Sequence, residues 1–335
     1  SRAARLARFD DGSAQAVMLA RPPERRGEAG EPCGCDRHPQ LRIALWLLWL
    51  AVALGLALFA GHGLGQVVAP VTVDLTPKQL TPRVWYVQGD AGTVSLRNQG
   101  FMSNAGFVVA DDAVVVFDAL GTPALGEALL AQIRRITDKP VRRVVVSHYH
   151  ADHFYGLQAF KAAGAEVIAH RAVRDYLATE APALRLAERR QSLAPWVTDS
   201  MRIVPPDRYV DGDASFRLGG LDFRLYSAGP AHTPEDLMML VEQEGVLFAG
   251  DLVFAGRLPF VGDADTRAWL AALEQLAARS PRIVVTGHGP ASTDARRDLA
   301  LTRDYLMFLR SEMGRAVDEM LEFDESSATV ELAAR

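Results

Sequence analysis

The chain has 335 residues, of which 49% are hydrophobic and 23% are charged, and its formal net charge is −5. This composition supports a packed core and excludes a chain that is disordered throughout. A net negative charge also disfavours nucleic-acid binding, which usually requires a basic surface. We therefore expect no nucleic-acid partner and look for a small-molecule substrate or a protein partner.

Near the N-terminus, a hydrophobic run without internal charge extends from Ile43 to Gly61. At about 1.5 Å per helical residue, it can span the roughly 30 Å hydrocarbon core of a bilayer. Eight arginines precede the run, and the next basic residue after it is Lys78, so the positive-inside rule predicts a cytoplasmic N-terminus. We expect a single-pass anchor in the inner membrane with the remaining chain on the periplasmic side. A cleaved signal peptide is the competing interpretation.

Composition predicts five successive regions along the chain. They are a disordered cytoplasmic tail at 1–40, a transmembrane anchor at 41–61, a linker at 62–80, a folded domain at 81–310 and a helical tail at 311–335. The two cysteines, Cys33 and Cys35, both lie in the first tail, so no disulfide can form in the exported part. We interpret them as part of a flexible reduced segment, with a small metal site as the alternative.

From Arg83 onward the pattern changes to short β-strands alternating with helices. Strands are predicted at 84–87, 106–110, 113–117, 141–147, 165–169, 214–218, 221–227, 238–242, 245–249 and 282–286. Helices are predicted at 123–136, 156–163, 172–191 and 266–278, and from about 293 to the C-terminus. Strands in runs, with helices between and after them, predict an α+β fold in which two sheets pack face to face with helices outside.

A dense group of candidate metal ligands follows the predicted strand at 141–147. Three of the eight histidines of the chain fall within six positions there, in the segment Ser147-His148-Tyr149-His150-Ala151-Asp152-His153. Imidazole and carboxylate groups are the preferred ligands of zinc and similar metals. The segment therefore predicts a metal site at the exit of this strand.

Three further candidates occupy similar positions downstream. His232 follows the predicted strand at 221–227, Asp251 follows the one at 245–249, and His288 follows the one at 282–286. A single histidine at the end of a strand is usually structural. Four separate segments that each offer a ligand at a strand exit instead indicate that the ligands converge.

The set of motifs resembles the metallo-β-lactamase superfamily over about residues 83–310. This resemblance implies an αβ/βα four-layer sandwich with two metals at one edge. It also implies the following ligands: His148, His150 and His232 for the first metal, Asp152, His153 and His288 for the second, and Asp251 bridging both. Asp118 matches an acidic residue behind the ligands, which we expect to orient a ligand histidine. Tyr149, Phe154 and Tyr155 flank the motif and are candidates for a substrate rim.

The implied cofactor is a pair of zinc ions, with iron or manganese as alternative metals. Two such ions can share a hydroxide that attacks a carbonyl group, with Asp152 and Asp251 as the carboxylates taking part in catalysis. We therefore predict a hydrolase of an ester, thioester, lactone or lactam bond. The alternatives are a β-lactamase, a mononuclear iron enzyme of sulfur oxidation resembling persulfide dioxygenases, and a non-catalytic metal-binding module.

Overall fold

The computed structural model describes residues 68–322 and 324–325. The predicted anchor at 41–61, the tail at 1–40 that contains both cysteines, and the residues after 325 lie outside the described residues. Within the described part of the chain, no helix combines the length and the apolar character needed to cross a bilayer.

The first sheet has seven strands in sequence order, from β1 to β7. Neighbouring strands from β1 to β4 are antiparallel, and the pairs β4–β5, β5–β6 and β6–β7 are parallel. The strands are β1 Lys78–Thr81, β2 Val84–Val87, β3 Ala105–Val109, β4 Val114–Phe117, β5 Val141–Val145, β6 Glu166–His170 and β7 Arg208–Val210.

The second sheet has five strands in the order β12-β11-β10-β9-β8. All its neighbours are antiparallel except β11 and β12, which run parallel with shifts in register. The strands are β8 Ala214–Leu218, β9 Leu221–Ser227, β10 Leu237–Val241, β11 Val246–Phe254 and β12 Ile283–His288.

Seven helices connect and follow these strands in the described residues. They are α1 Pro123–Ile136, α2 Ala151–Phe154, α3 Leu157–Ala162, α4 Val173–Leu177, α5 Ala181–Ser192, α6 Thr266–Ala278 and α7 Ala295–Asp318. Three of the four longer ones begin where a side chain accepts free backbone N–H groups, whereas α5 begins without such a cap. The hydroxyl of Thr122 caps α1, and the carboxylates of Asp265 and Asp294 cap α6 and α7.

Three apolar clusters separate four layers. The central cluster lies between the sheets, where Phe117 of β4 stacks on Phe248 of β11. A second cluster packs α1 and α3 against the outer face of the first sheet, and a third packs α6 and α7 against the outer face of the second. Trp269 of α6 is completely buried in the third cluster. The predicted sandwich of two sheets between helices is therefore confirmed.

The structure corrects several predicted boundaries. Strand β1 begins inside the predicted linker at 62–80, and α7 continues across the predicted boundary at 310/311. The predicted helix at 172–191 is two helices, α4 and α5, and the short strand β7 was not predicted. Asp251 and His288 lie within β11 and β12 rather than after them, because both strands run past the points where their apolar runs end.

Candidate metal centre

The predicted ligands come together at one edge of the two sheets. His148 and His150 follow β5, and His150 is the N-cap residue that precedes the short helix α2, which carries Asp152 and His153. His232 lies on the connection from β9 to β10. Three groups of these side chains could hold a metal ion, since their ligand atoms lie within 4.8 Å of one another: His148/His150/His232, His148/His153/Asp251 and Asp152/His153/His288.

In the first group, three imidazole rings direct one nitrogen each toward a common point. Nδ1 of His150 and Nε2 of His232 lie 3.1 Å apart. The His148 ring is roughly perpendicular to both of the other rings, at 4.6 and 4.9 Å between ring centroids. Nε2 of His148 is buried and has no hydrogen-bond partner.

Each ring of the first group is held through its other nitrogen. Nδ1 of His148 donates to Oγ of Ser147 at 2.9 Å, and Nδ1 of His232 donates to the Phe260 carbonyl at 3.0 Å. Nε2 of His150 lies 3.4 Å from Oδ2 of Asp263. Such contacts fix the tautomer in which the inward nitrogen is free to bind a metal.

The other ligands form what we call the second group, namely His153, His288, Asp152 and Asp251, in which two imidazole rings face two carboxylates. Nε2 of His153 lies 3.2 Å from Oδ1 of Asp251 and 3.5 Å from Oδ2 of Asp152. Nε2 of His288 lies 3.1 Å from Oδ2 of Asp251 and 3.4 Å from Oδ2 of Asp152. The same Asp251 oxygen is 3.5 Å from Nε2 of His232, so this carboxylate faces both groups.

The rings of the second group are also held from behind. Nδ1 of His153 donates to Oδ2 of Asp118 at 2.9 Å, and Nδ1 of His288 donates to the Met102 carbonyl at 2.7 Å. Asp118 also accepts the backbone N–H of Ser147 at 2.7 Å and the hydroxyl of Ser147 at 2.9 Å. One buried carboxylate thus orients His153 directly and His148 through Ser147.

Three buried polar atoms at the centre have no hydrogen-bond partner, and a bound metal would supply the missing interaction. Nε2 of His148, Nε2 of His153 and Oδ1 of Asp251 are buried and form no hydrogen bond. Leaving a buried polar atom unpaired costs about 1–3 kcal/mol. All three belong to ligand types that zinc prefers, so the residues present fit a bound metal pair.

Burial controls the protonation of two rings of the first group, His148 and His232. Burial lowers the pKa of His148 well below its usual range, and the nearby His153 and His150 act in the same direction. Burial likewise lowers the pKa of His232 to about 4. Both rings are therefore unprotonated near neutral pH, which is the form that binds metal.

Neighbouring groups of opposite charge determine the direction of the pKa shifts in the second group. Burial alone would raise the pKa of Asp251, but His288 and His153 outweigh it and hold that pKa well below its usual range. Burial alone would lower the pKa of His153, but Asp251 and Asp152 raise it well above its usual range. The two carboxylates thus concentrate negative charge around Nε2 of His153, and a bound cation would meet that charge in place of the proton.

Two glycines make room for these contacts. Gly250 has a φ of +53°, and a Cβ at this position would lie 2.7 Å from Cβ of Ser147. A Cβ at Gly287 would lie 1.9 Å from Oδ1 of Asp251. Both distances are far below any normal contact, so the backbone of β11 and the end of β12 can approach the site only with glycine there.

The three predicted rim residues differ in their surroundings in the structure. Phe154 and Tyr155 are about 1% exposed and pack in the core beneath the helices, so the prediction of a substrate rim is wrong for both. Tyr149 is equally buried and donates its hydroxyl to the Val204 carbonyl, but it also borders a cavity beside His150. The rings of Phe154 and Tyr155 follow the ligand motif and pack the end of α2 against the core.

The connection from β11 to α6 also contributes to the site, and sequence reasoning did not find it. It supplies Asp263 and the Phe260 carbonyl behind His150 and His232, and the Phe260 ring lies 6.0 Å from the His150 ring. Nη1 of Arg257 lies 3.1 Å from Nδ1 of His288. The available signal was the pair of large apolar residues in a short loop, Leu258 and Phe260, both more than half exposed.

A family model described as the metallo-beta-lactamase superfamily matches residues 98–288, which is more than half of the chain. This chain belongs to the metallo-β-lactamase superfamily.

Two curated relatives are hydrolases. A linear primary-alkylsulfatase from a Pseudomonas species is 23% identical over 261 residues, covering 67% of this chain and 49% of the relative. A type 2 metallo-beta-lactamase from Elizabethkingia meningoseptica is 23% identical over 244 residues, covering 71% of this chain and 86% of the relative. The chain therefore spans about half the length of the alkylsulfatase that it matches.

Solved structures show the same fold. A sec-alkylsulfatase from Pseudomonas sp. has a TM-score of 0.61 at 19% identity, covering 78% of this chain and 46% of that structure. A metallo-beta-lactamase from Pontibacter korlensis has a TM-score of 0.53 at 24% identity, covering 70% of this chain and 99% of that structure. At this identity the likeness establishes the architecture, and the substrate must be inferred from the site.

Proposed function

We propose that this chain is a hydrolase that uses two zinc ions to cleave an ester, thioester, lactone or lactam bond. The observation that carries the proposal is the convergence of five imidazole nitrogens with two carboxylates at one edge of the sandwich. Each ring is held from behind by its second nitrogen. Rigid preorganisation of this kind suits catalysis by charge stabilisation, because little rearrangement is needed during the reaction.

The ligand geometry supports two binding positions rather than one. His148, His150 and His232 would hold the first ion, and Asp152, His153 and His288 would hold the second. Asp251 would lie between the ions, because one of its oxygens is 3.1 Å from Nε2 of His288 and 3.5 Å from Nε2 of His232. Iron or manganese are the alternative metals.

Bound zinc supplies Lewis acidity that lowers the pKa of water and polarises a carbonyl oxygen. The residues of the chain would then position the reactants. The Asp152 side chain is 17% exposed, whereas that of Asp251 is 4% exposed, so Asp152 is the carboxylate that water and substrate can reach. Asp152 would orient the attacking water and take a proton on a carboxylate oxygen, to be passed to the leaving group.

The first experiment is metal content and hydrolysis measured on one preparation of the protein. Metals are quantified by plasma mass spectrometry, and activity is screened on thioester, lactone, aryl ester and cephalosporin reporters. We expect about two zinc ions per chain. His148→Ala and Asp251→Ala should each reduce hydrolysis by more than about a hundredfold. His170→Ala is the matched control, because His170 contacts Ser227 away from the cluster.

Two outcomes would overturn the proposal in favour of the alternatives. One iron per chain without hydrolysis would indicate a mononuclear iron enzyme of sulfur oxidation. Two zinc ions without turnover on any reporter would indicate a non-catalytic metal-binding module.

Sulfate-ester hydrolysis is the second candidate function. The observation in its favour is that one curated relative that the chain matches is a linear primary-alkylsulfatase, 23% identical over 261 residues. Adding an alkyl sulfate to the reporter set tests it beside the lactam reporter. Turnover of the sulfate without turnover of the acyl compounds would replace the first candidate with this one.

The proposal includes attachment to the inner membrane through the hydrophobic run at 43–61, with the metal centre on the periplasmic side. Its support is the length of that run and the arginines before it. Alkaline carbonate extraction and protease treatment of spheroplasts test both points. Release by carbonate, or protection of the domain from external protease, would contradict them.

A further inference from the structure

A cavity of about 880 Å³ opens directly beside the candidate metal centre. His150 lines it on one side, and α4, α5 and the connection that follows His232 complete its walls. Tyr149, Tyr176, Leu184 and Pro234 contribute apolar surface to these walls. A cavity of this volume, adjacent to a metal ligand, is large enough for an organic group of a substrate.

Acidic side chains outnumber basic ones among the residues that line this cavity. Four carboxylates line it, whereas Arg185 is the one Lys or Arg among its lining residues. The carboxylates belong to Asp175, Glu188, Glu235 and Asp263.

The lining cation is already engaged, and a second cation lies behind it. Nη1 of Arg185 lies 2.6 Å from Oε2 of Glu188, and Nη1 of Arg189, which is not a lining residue, lies 3.2 Å from Oε1 of the same carboxylate. Asp263 faces His150, and Glu235 accepts the backbone N–H of Tyr149 at 3.3 Å. Burial raises the pKa of Glu235, which favours its neutral form. Even with Glu235 neutral, the carboxylates of Asp175, Glu188 and Asp263 outnumber these two cations.

We infer that this cavity receives an apolar substrate group that is uncharged or positively charged, and that it rejects groups bearing a carboxylate, sulfate or phosphate. The inference rests on the proposed function and deepens it, because it specifies the part of the substrate next to the scissile bond. The apolar walls favour alkyl or aryl carbon. The surplus of carboxylates stabilises a quaternary ammonium group and repels an anion of equal size.

The test compares binding and turnover of matched compounds by the full-length, zinc-loaded protein. Binding of n-hexyltrimethylammonium, 1-hexanol and hexanesulfonate is measured by calorimetry, without any need for turnover. Turnover is measured with acetylthiocholine and its uncharged isostere 3,3-dimethylbutyl thioacetate.

We expect the cation to bind at least about tenfold more tightly than the sulfonate, and the ratio to shrink at high salt. In the double variant Asp175→Asn/Glu188→Gln, Arg185 is left uncompensated, and the ratio should fall to about threefold or less. Asp138→Asn removes an exposed carboxylate that does not line the cavity and should leave the ratio unchanged. Thermal unfolding checks that every variant is folded.

Equal or tighter binding of the sulfonate, or a ratio that the double variant does not change, would overturn the inference. A failure of the proposed function can be told apart from a failure of this inference. If neither thioester and none of the other reporters is hydrolysed while the charge preference in binding persists, the catalytic proposal is wrong and the assignment of the cavity stands.

Discussion

The two ligand groups of the candidate metal centre differ in what holds them. His148, His150 and His232 depend on Ser147 and on a surface loop that supplies Asp263 and the Phe260 carbonyl. The Asp263 side chain is 68% exposed. In the other group, His153 depends on Asp118, whose side chain is 2% exposed, and His288 depends on the Met102 carbonyl.

Because of this difference, substitutions of the residues behind the two ligand groups should change metal affinity to different extents. A buried carboxylate cannot exchange its hydrogen bonds for water, whereas an exposed one can. The second group should therefore be rigid and sensitive to substitution behind it. The first group should tolerate changes in its loop, because solvent can substitute for Asp263.

The largest effect should follow from Asp118→Asn. Asp118 has a φ of +62°, a conformation that asparagine tolerates, so the variant tests the carboxylate and not the backbone. The single amide oxygen cannot accept all three hydrogen bonds that the carboxylate accepts from His153 and from the N–H and hydroxyl of Ser147, so we expect zinc affinity to fall by about 10–100-fold. Competition with a chromogenic chelator measures it. Asp138→Asn is the control, and equal affinities in the two variants would contradict the assigned role.

Gly287→Ala should rank next, because it acts on the carboxylate that faces both groups. The added Cβ would lie 1.9 Å from Oδ1 of Asp251 and 2.7 Å from the Gly250 carbonyl carbon. We expect a loss of about 1–3 kcal/mol in the free energy of unfolding, together with weaker binding of both ions. Urea denaturation measures the first quantity and chelator competition the second.

The matched control for that substitution is Gly314→Ala in α7, where nothing lies within 4 Å of the added Cβ. A glycine inside a helix costs about 0.5–1 kcal/mol relative to alanine, so this variant should be slightly more stable. Similar losses in both variants would mean that the close approach at Gly287 is unimportant.

Ser147→Ala should have a smaller and more selective effect. It removes the hydroxyl that links His148 to Asp118 but leaves the contact between Asp118 and His153 in place. We expect about a tenfold loss in affinity for one of the two ions, with the other ion retained. Stepwise zinc titration resolves the two affinities, and an equal loss of both ions would show that the groups are not held independently.

Asp263→Asn should have the smallest effect. Its contact with His150 is 3.4 Å long and largely exposed to solvent, and exposed ion pairs contribute about 0–1 kcal/mol. We expect the affinity of either ion to change by less than about fivefold. A loss as large as that of Asp118→Asn would reverse the comparison between the two groups.

The sequence allowed the fold class and the convergence of the ligands to be predicted, because local patterns encode both. The motif from His148 to His153 follows an apolar strand, and the glycines beside Asp251 and His288 mark close approach. The contacts of the loop that bears Asp263 could not be predicted, since they join residues that are 28 positions apart, as for Phe260 and His232, or further, as for Asp263 and His150. The rim prediction for Phe154 and Tyr155 was wrong because exposure depends on how α2 packs, which nothing in the local sequence specifies.

Gly287 and Asp251 lie on neighbouring parallel strands, and the space left by a missing side chain on one is filled by a carboxylate from the other. The shapes of the two residues are therefore matched to each other, although they lie 36 positions apart in the chain. A Cβ at 287 would also lie 2.7 Å from the Gly250 carbonyl carbon and 2.8 Å from the Asp251 nitrogen, so a smaller side chain at 251 would not make room for it. Within this scaffold, a side chain at 287 therefore requires the strand that carries the Asp251 carboxylate to move.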